Sequence, residues 1–207
     1  TAVELSAALA ERLRRNHPDA SLTVEVAPFE TVPLPPASFD LVASAASFHW
    51  VDPAVGPAKA AEVLRPGGWL ATWWSIYTDV GRHDPLAEPL RAVLRRRAPH
   101  LLDDPVAGAH PGQAGAHHGL RVAERLAELR AVDAFEAVQL HLFRWTAWQT
   151  AAEACALLGT FSPMLALPEG TLAAILGDVA AVIETELGGR VRRPFQTALY
   201  VARRRRG

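Results

Sequence analysis

Apolar residues in the first third of the chain follow the pattern of a strand, a helix and a second strand. Phe39–Ser44 is a short apolar run, which predicts a strand buried on both faces of a parallel sheet. Asp52 and Pro53 suit the start of a helix, as its cap and first residue. Pro66-Gly67-Gly68 predicts a sharp turn at the end of that helix, and Leu70–Trp74 a second buried strand. A crossover of this length implies parallel neighbours.

The amino-terminal segment predicts a strand, a helix and a further strand. Thr1–Glu4 has the character of a strand end that runs directly into a helix. Leu5, Leu9 and Leu13 recur at helical spacing, and Asn16-His17-Pro18 ends the helix. Leu22–Val26 alternates as a strand, and a proline-rich linker over Thr31–Ala37 leads to the next strand.

The remainder of the chain alternates between amphipathic helices and strands. A helix opening at Asp84-Pro85 places Leu86, Leu90, Val93 and Leu94 on one face. Its last turn carries Arg95–Arg97, for which we expect a solvated face. The other predicted elements are a helix over Arg121–Arg130, a strand over Phe135–Phe143, a capped helix from Thr150 to Leu158, a long helix over Pro168–Leu187 and a final strand over Pro194–Ala202.

Ligands on parallel α/β sheets bind beyond the carboxyl ends of the strands. This rule places the candidate site after the first two central strands, at Ala45, Ala46, Phe48, His49 and Trp50 and near Trp74. Small residues followed by a His-Trp pair indicate backbone close to a ligand, with a polar and aromatic wall beside it. The alternative is that His49 caps a helix or lies at the surface while Trp50 is part of the core.

Two stretches within this region carry a family resemblance, namely LPPASFDLVASAASFHWVD and AAEVLRPGGWLATWW. They resemble the class I S-adenosylmethionine-dependent methyltransferases, and within them the type 11 and trans-aconitate-methyltransferase-like branch. The resemblance implies an α/β fold with a three-layer, Rossmann-like sheet whose last strand inserts antiparallel between the fifth and sixth strands of the family. It also implies S-adenosyl-L-methionine as cofactor, a single domain over residues 1–207 and an insert over residues 79–120 that covers the substrate.

The same resemblance assigns residues to the site. Glu4, at the end of the second family strand, matches the carboxylate that accepts hydrogen bonds from ribose hydroxyls. The residues implied for the cofactor are Glu4, Pro28, Phe29, Glu30, Ala45 and Ala46, and those implied for the substrate are Phe48, His49, Trp50 and Trp74. Phe29 offers a flat face to adenine, although plain core packing explains it nearly as well. His49 is the candidate base for a hydroxyl or amine acceptor.

The family pattern places a first strand, a first helix and a glycine-rich loop before Glu4. The sequence contains no such segment, so we expect an amino-terminally incomplete methyltransferase, either a fragment or a truncated gene product. Glycines in that loop let the backbone approach the cofactor closely. We therefore expect weak S-adenosylmethionine binding or none, and an inactive chain.

Three functions remain open at this point. The first is methyl transfer to a small-molecule acceptor, with O-methylation favoured. The second is a non-catalytic methyltransferase-like binding module, which the missing glycine loop would suit. The third is a nicotinamide-dependent oxidoreductase fragment, against which the LRPGG turn and the final alternating strand argue.

Composition narrows these possibilities. The chain has 207 residues, 50% hydrophobic, with a formal net charge of −1, which argues against nucleic acid as a partner. The Arg203–Arg206 run is interpreted as a solvated tail. One cysteine, Cys155, and the lack of a long apolar run favour a cytoplasmic protein that does not contact membranes. No carboxylate or cysteine stands at ligand spacing in the loop that carries His110, His117 and His118, so no metal is predicted. The oligomeric state stays open.

Overall fold

The computed structural model describes residues 1–18, 21–77, 81–102 and 117–206. Chain contacts divide the protein into two compact units. The first comprises residues 1–73, 123–140 and 200–207, and the second comprises residues 74–122 and 141–199. The prediction of a single domain with an insert over 79–120 is not tested by this division, and residues 79–80 and 103–116 lie outside the described ranges.

The described elements alternate between strands and helices. The strands are β1 (Ala2–Glu4), β2 (Val24–Val26), β3 (Phe39–Ala45), β4 (Leu64–Ile76), β5 (Phe135–Thr150) and β6 (Arg190–Arg204). The helices are α1 (Ala7–Asn16), α2 (Gly56–Val63), α3 (Ala87–Arg97), α4 (Val122–Arg130), α5 (Ala151–Leu158), α6 (Ser162–Leu165) and α7 (Glu169–Thr185). Short 3₁₀ turns cover Phe48–Trp50, Pro99–Leu102 and His118–Leu120.

The strands form two sheets. Strands β1 and β2 pair in parallel, with Ala2 opposite Val24 and Glu4 opposite Val26. The other four strands have the order β3-β4-β6-β5, and β3 pairs with β4 in parallel as the sequence predicts. The last strand, β6, therefore lies between β4 and β5. Strands β4 and β5 correspond to the fifth and sixth strands of the family, so this order confirms that the final strand lies between them.

The prediction that β3 is buried on both faces is wrong. Strand β3 ends the order of the four-stranded sheet, where it hydrogen-bonds to β4 alone among the described strands. Leu41 is 55% exposed as a result. The apolar run reflects the strand itself, whereas its burial depends on neighbours that the run does not specify.

The start of α2 also differs from the prediction. Pro53 precedes the helix, which begins at Gly56 with Pro57 in its first turn. The Asp52 carboxylate accepts a hydrogen bond from Ala54 N at 2.8 Å, and the Asp52 carbonyl accepts from Val55 N and Gly56 N. Asp52 thus closes a turn ahead of the helix, which is the local bonding that aspartate favours.

Pro66-Gly67-Gly68 is part of strand β4 and forms a bulge there. While β3 advances from Phe39 to Leu41, β4 advances from Leu64 to Trp69, so the intervening residues loop out of the ladder. Gly67 has φ +85°, a left-handed conformation that suits glycine at such a bulge. The helix does end before this segment, as predicted.

The interpretation of Arg203–Arg206 as a solvated tail is wrong for at least two of its members. Arg203 Nε donates to Gly67 O at 3.3 Å, and its guanidinium lies 5.8 Å from the Trp69 ring centre. Arg204 Nη1 donates to Glu62 O at 3.1 Å and to Leu64 O. These arginines therefore satisfy carbonyls at the end of α2 and in the bulge, where helix ends leave acceptors unpaired.

The second unit has its own apolar core. Thr150 and Glu153 form the predicted capping box at the start of α5. Core residues come from α3, α5, α6 and α7 and from the start of β6; the largest include Leu86, Leu94, Leu158, Ile175, Ile183 and Val191. The predicted apolar face of α3 is confirmed, because Leu86, Leu90, Val93 and Leu94 are all buried.

Arg95–Arg97 are exposed, as predicted, and two of them also form ion pairs. Arg96 and Arg97, at the end of α3, pair with Asp178 on α7 at 3.5 and 3.1 Å. The Arg97 guanidinium lowers the pKa of the Asp178 carboxyl through this hydrogen bond. Asp84 and Arg193 form a second pair at 3.0 Å, with side chains only 1% and 6% exposed. The sequence did not indicate this buried pair.

Candidate functional site

A cavity of about 800 Å³ opens in the first unit where β1, β2 and β3 end. Its walls come from β1 and β3 and from the segments that follow the three strands. A crevice at the carboxyl ends of parallel strands is the expected position of a ligand on this type of sheet. The lining residues include Glu4, Leu5, Ser6, Pro28, Phe29, Glu30, Leu34, Leu41, Val42, Ser44, Ser47, Phe48, Trp50 and Val63.

Glu4 lies at this edge because β1 ends with it and α1 begins immediately afterwards. Its Oε1 accepts a hydrogen bond from Ser6 N at 2.8 Å, while Ser6 Oγ accepts from Leu9 N and caps α1. The carboxylate is therefore held against the start of the helix and borders the cavity. A fixed carboxylate in this position can accept hydrogen bonds from neighbouring hydroxyls of a ligand.

Two aromatic rings form the apolar part of the wall. Phe29 and Phe48 have ring centres 6.5 Å apart in a tilted arrangement, and Phe48 is 7% exposed. Lys59 braces the Phe29 loop, because its Nζ donates to Glu30 O at 3.1 Å and to Val32 O at 2.5 Å. The same ammonium lies 5.8 Å from the Phe29 ring centre. The loop is thus positioned by α2 as well as by β2.

Glu30 and Pro28 contribute mainly to the shape of this wall. Glu30 Oε1 accepts from Asp52 N at 2.9 Å and joins the two loops that border the cavity. Pro28 O accepts from Thr31 N and Val32 N, which closes the turn after β2. Both residues line the cavity, as the sequence predicted for the cofactor site.

A pair of hydroxyl groups at the end of β3 was not predicted. Ser44 Oγ and Ser47 Oγ are 2.8 Å apart, and both residues line the cavity. Ala46 lies between them with φ +55°, an uncommon conformation for a residue with a side chain, and its N donates to Trp73 O at 2.8 Å. The left-handed turn brings the two serines together. The Ala-Ser-Ala-Ala-Ser segment was the available signal, but its spacing does not reveal the turn.

The remaining predicted residues occupy different surroundings. Trp50 lines the cavity and is 81% exposed, so it stands at the mouth and is not core. The His49 ring lies 5.0 Å from the Trp50 ring. Ala45, Ala46, His49 and Trp74 are not among the described residues that line the cavity. Trp74 is 2% exposed and packs beside Gly119 within the second unit. The roles predicted for these four residues stay predictions.

The charged side chains among the described lining residues are of one sign. Glu4 and Glu30 line it, whereas no lysine, arginine or histidine is found among the described lining residues. Carboxylates are anionic at neutral pH, so the cavity favours cationic or uncharged ligands over anionic ones.

The histidine-rich segment contains His110, His117 and His118, the histidines considered as metal ligands. His117 Nδ1 accepts from Gly119 N at 3.0 Å, and burial, aided by the charge of His118, lowers the pKa of His117 to about 4. His110 lies outside the described residues. Within the described ranges, no group of three or more His, Cys, Asp or Glu side chains is placed to hold a metal ion.

None of the helices in these ranges has the length and apolar character needed to cross a membrane.

The comparisons with known proteins agree with this geometry. Residues 1–72 match the family model of the methyltransferase domain. Uncharacterized methyltransferases of Mycobacterium tuberculosis and Mycobacterium bovis are 48% identical over 46 residues, which is 22% of this chain. The match spans 19% of the length of these relatives.

Solved structures extend the likeness to the fold. A protein assigned as a type II methyltransferase from Anaeromyxobacter dehalogenans aligns with a TM-score of 0.61 at 23% identity, covering 97% of this chain and 78% of the other. The YcgJ protein of Bacillus subtilis aligns with a TM-score of 0.52 at 16% identity, covering 99% and 82%. Residues 1–72 thus match the methyltransferase-domain family, and the chain has the α/β Rossmann-like fold of these solved structures.

Proposed function

We propose that this protein takes part in S-adenosylmethionine-dependent methyl transfer to a small-molecule acceptor, with the cofactor bound in the cavity of the first unit. One observation carries the proposal. Every described residue that lines the cavity lies between Thr1 and Val63, inside the segment that matches the methyltransferase-domain family. The cavity and the family match therefore coincide.

The lining residues suit the adenosyl part of this cofactor. Glu4, held by Ser6 N, offers its carboxylate to ribose hydroxyls at the end of β1. Phe29 presents a flat apolar face for the adenine ring beside the Phe48 ring. Pro28 has no side-chain acceptor, and one Glu30 oxygen is already bonded to Asp52 N. Adenine recognition accordingly depends on stacking and on backbone groups.

The cofactor, when bound, supplies a methyl group on a positively charged sulfur that is already a good leaving group. The protein then mainly has to align the acceptor with the methyl group and exclude water. Phe29 and Phe48 exclude water from one wall of the cavity, and Glu4 and Glu30 compensate positive charge within it. We favour O-methylation, with His49 proposed as the base on the strength of the family resemblance.

A non-catalytic binding module is the second candidate. Among the described lining residues no glycine is present, so side chains limit how closely the backbone approaches a ligand there. We accordingly expect these 207 residues to bind the cofactor more weakly than the micromolar range. A nicotinamide-dependent oxidoreductase is less well supported, because a dinucleotide diphosphate would meet Glu4 and Glu30 with no lysine, arginine or histidine among the described lining residues.

Ligand-observed NMR tests this proposal by comparing S-adenosylhomocysteine with NAD⁺ on the same protein. We expect saturation transfer to the adenine and ribose protons of S-adenosylhomocysteine, reduced in Phe29→Leu, and little transfer to NAD⁺. Leu165→Ala serves as a control, since Leu165 is 63% exposed and belongs to the second unit. Stronger transfer to NAD⁺ would favour the oxidoreductase, and transfer to neither ligand would favour the binding module.

A further inference from the structure

Lys59 on α2 joins that helix to the loop that carries Phe29. Its ammonium Nζ donates to Glu30 O at 3.1 Å and to Val32 O at 2.5 Å, so two carbonyls of one loop converge on a single cation. The same ammonium lies over the Phe29 ring, 5.8 Å from the ring centre. An ammonium has three N–H donors, and two carbonyls and a ring face give it three acceptors. The loop and the lysine therefore hold each other in position.

Two other contacts of this loop do not reach a helix. The Pro28 carbonyl accepts hydrogen bonds from within the loop and closes the turn after β2. Glu30 Oε1 accepts from Asp52 N at 2.9 Å and so joins the loop to another loop. Strand β2, which precedes the loop, is only three residues long. Of these three contacts, that of Lys59 alone connects the loop to a helix.

Loss of the ammonium would change the path of the loop backbone. Val32 is 2% exposed, so its carbonyl has little access to water. A buried carbonyl that has lost its donor is unfavourable, and the backbone would turn to expose it. Phe29 precedes Val32 by three positions in the same loop and would move with it. The position of the Phe29 ring thus depends on Lys59.

The ammonium also leaves the ring available to a ligand. Phe29 lines the cavity, whereas Lys59 is not among the described lining residues. Phe48 stands beside the ring at a tilt of 57°, with the ring centres 6.5 Å apart. The Phe29 ring is therefore supported by a cation and a second ring while it borders the cavity. A flat group that is already fixed loses little conformational entropy when a planar ligand stacks on it.

Resting on the cofactor site proposed above, we propose that Lys59 is a positioning residue for that site: its ammonium fixes the loop after β2 so that the Phe29 ring meets the adenine of S-adenosylmethionine. Lys59 acts through Phe29 and not by contact with the cofactor. Glu4 is held separately, by Ser6 N at the start of α1. Loss of the ammonium should therefore weaken the contacts to adenine more than those to ribose.

Two substitutions of Lys59 test this role. Lys59→Met keeps the length of the side chain and removes the charge and the N–H donors, whereas Lys59→Arg keeps both. Arg65→Met is the matched control, because it also removes a cation from the first unit, but one that pairs with Asp40 on the exposed surface. Lys59→Gln keeps two N–H donors on a shorter side chain, and it should show the same changes to a smaller extent if Lys59→Met does not fold.

Amide hydrogen exchange measures the order of the loop without any ligand. The N–H groups of Thr31 and Val32 donate to Pro28 O and report on the turn that follows Phe29. We expect exchange at these amides to be at least about tenfold faster in Lys59→Met than in the wild type, and unchanged within about twofold in Lys59→Arg and Arg65→Met. Amides of α7 in the second unit should exchange as in the wild type. Unchanged loop exchange in Lys59→Met would overturn the proposal whether or not a ligand binds.

Saturation-transfer NMR with S-adenosylhomocysteine measures the effect on the site. Lys59→Met should weaken binding about five- to tenfold and lower the transfer to the adenine protons relative to the ribose protons. Lys59→Arg should restore both the affinity and the adenine signal. A general loss of structure would instead lower the adenine and ribose signals by the same fraction, and that result would contradict a positioning role.

The outcomes distinguish this inference from the proposed function. If the wild type binds S-adenosylhomocysteine and Lys59→Met binds it equally well, the positioning role is wrong and the cofactor site stands. If Lys59→Arg is as weak as Lys59→Met, the ammonium contacts are not what positions Phe29, and the inference is again overturned. If the wild type does not bind S-adenosylhomocysteine, the proposed cofactor site fails and the positioning role fails with it.

Discussion

Replacing Asp84 by Asn should destabilise the second unit strongly, because it leaves the Arg193 cation buried without its counter-ion. The side chains are 1% and 6% exposed, and Asp84 Oδ2 accepts from Arg193 Nη2 at 3.0 Å and from Nε at 3.1 Å. Breaking such a buried pair from one side costs about 3–5 kcal/mol. An asparagine oxygen can still accept from Leu86 N, as Asp84 Oδ1 does at 3.0 Å, so the turn before α3 is preserved.

The surroundings of Arg193 explain why the loss of Asp84 should be costly. Its Nη2 donates to Tyr77 O at 3.3 Å and its guanidinium lies 5.5 Å from the Phe195 ring, so the cation cannot easily turn to water. Its Nη1 has no hydrogen-bond partner among the described residues. A buried pair that is only partly satisfied gives less net stability than an apolar replacement of similar volume often does.

A double-mutant cycle measures this directly by urea unfolding followed with circular dichroism. We expect Asp84→Asn and Arg193→Met each to lower the free energy of unfolding by about 3 kcal/mol, equivalent to roughly 6–12 °C in Tm for a chain of this size. The free energy of unfolding of the double variant should differ from that of the wild type by no more than about 1 kcal/mol. The coupling energy between the two residues is then well above that of exposed ion pairs. Single costs below about 1 kcal/mol, or costs that simply add in the double variant, would refute the reasoning.

Two further predictions concern stability. His117 has a folded-state pKa of about 4, below its ordinary value of 6.5, so the unfolded chain binds more protons between these values. The contribution of neutral His117 to the free energy of unfolding should be complete above about pH 6.5 and be lost as the pH falls toward 4. In His117→Gln, the urea midpoint should therefore change less with pH over this range. The same pH dependence in the variant and the wild type would contradict the assignment. Arg204→Ala removes a charged donor from Glu62 O and Leu64 O and should cost about 1–2 kcal/mol in urea unfolding. Arg12→Ala on the exposed surface of α1 is the control, and an equal effect of both variants would disprove the role of Arg204.

Elements with local signals were predictable from the sequence. The apolar spacing of Leu86, Leu90, Val93 and Leu94 located α3, and the Thr150 and Glu153 pair located the start of α5. Each of these two signals spans only a few residues of the chain. The position of β6 in the sheet order was anticipated through the family resemblance, because strand order is a long-range property.

Features that depend on distant partners could not be predicted. Arg193 and Asp84 are 109 positions apart, and Arg204 donates to carbonyls that are 142 and 140 positions away. The Pro66–Gly68 bulge depends on the register between β3 and β4, whereas the residues alone favour a plain turn. The exposure of Leu41 likewise follows from the place of β3 at the end of the strand order.

The candidate site likewise contains residues that local patterns predicted and residues that they did not. Glu4, Pro28, Phe29 and Glu30 follow strands that the sequence located, and all four line the cavity. The hydroxyl pair of Ser44 and Ser47 was missed, because it depends on the left-handed conformation of one alanine between them. Strand ends can be read from local patterns, but the conformation of the loops that follow them cannot.

Calorimetric titration of S-adenosylhomocysteine into the 207-residue protein and its Glu4→Gln variant tests the central claim most directly. The account predicts saturable binding weaker than micromolar, and a further loss of about tenfold or more in Glu4→Gln, since hydrogen bonds to charged groups contribute about 1.5–3 kcal/mol. Glu11→Gln makes the same change on the exposed surface of α1 and should bind like the wild type. Equal affinity of the Glu4→Gln variant and the wild type, or no saturable binding at all, would contradict a cofactor site at the end of β1.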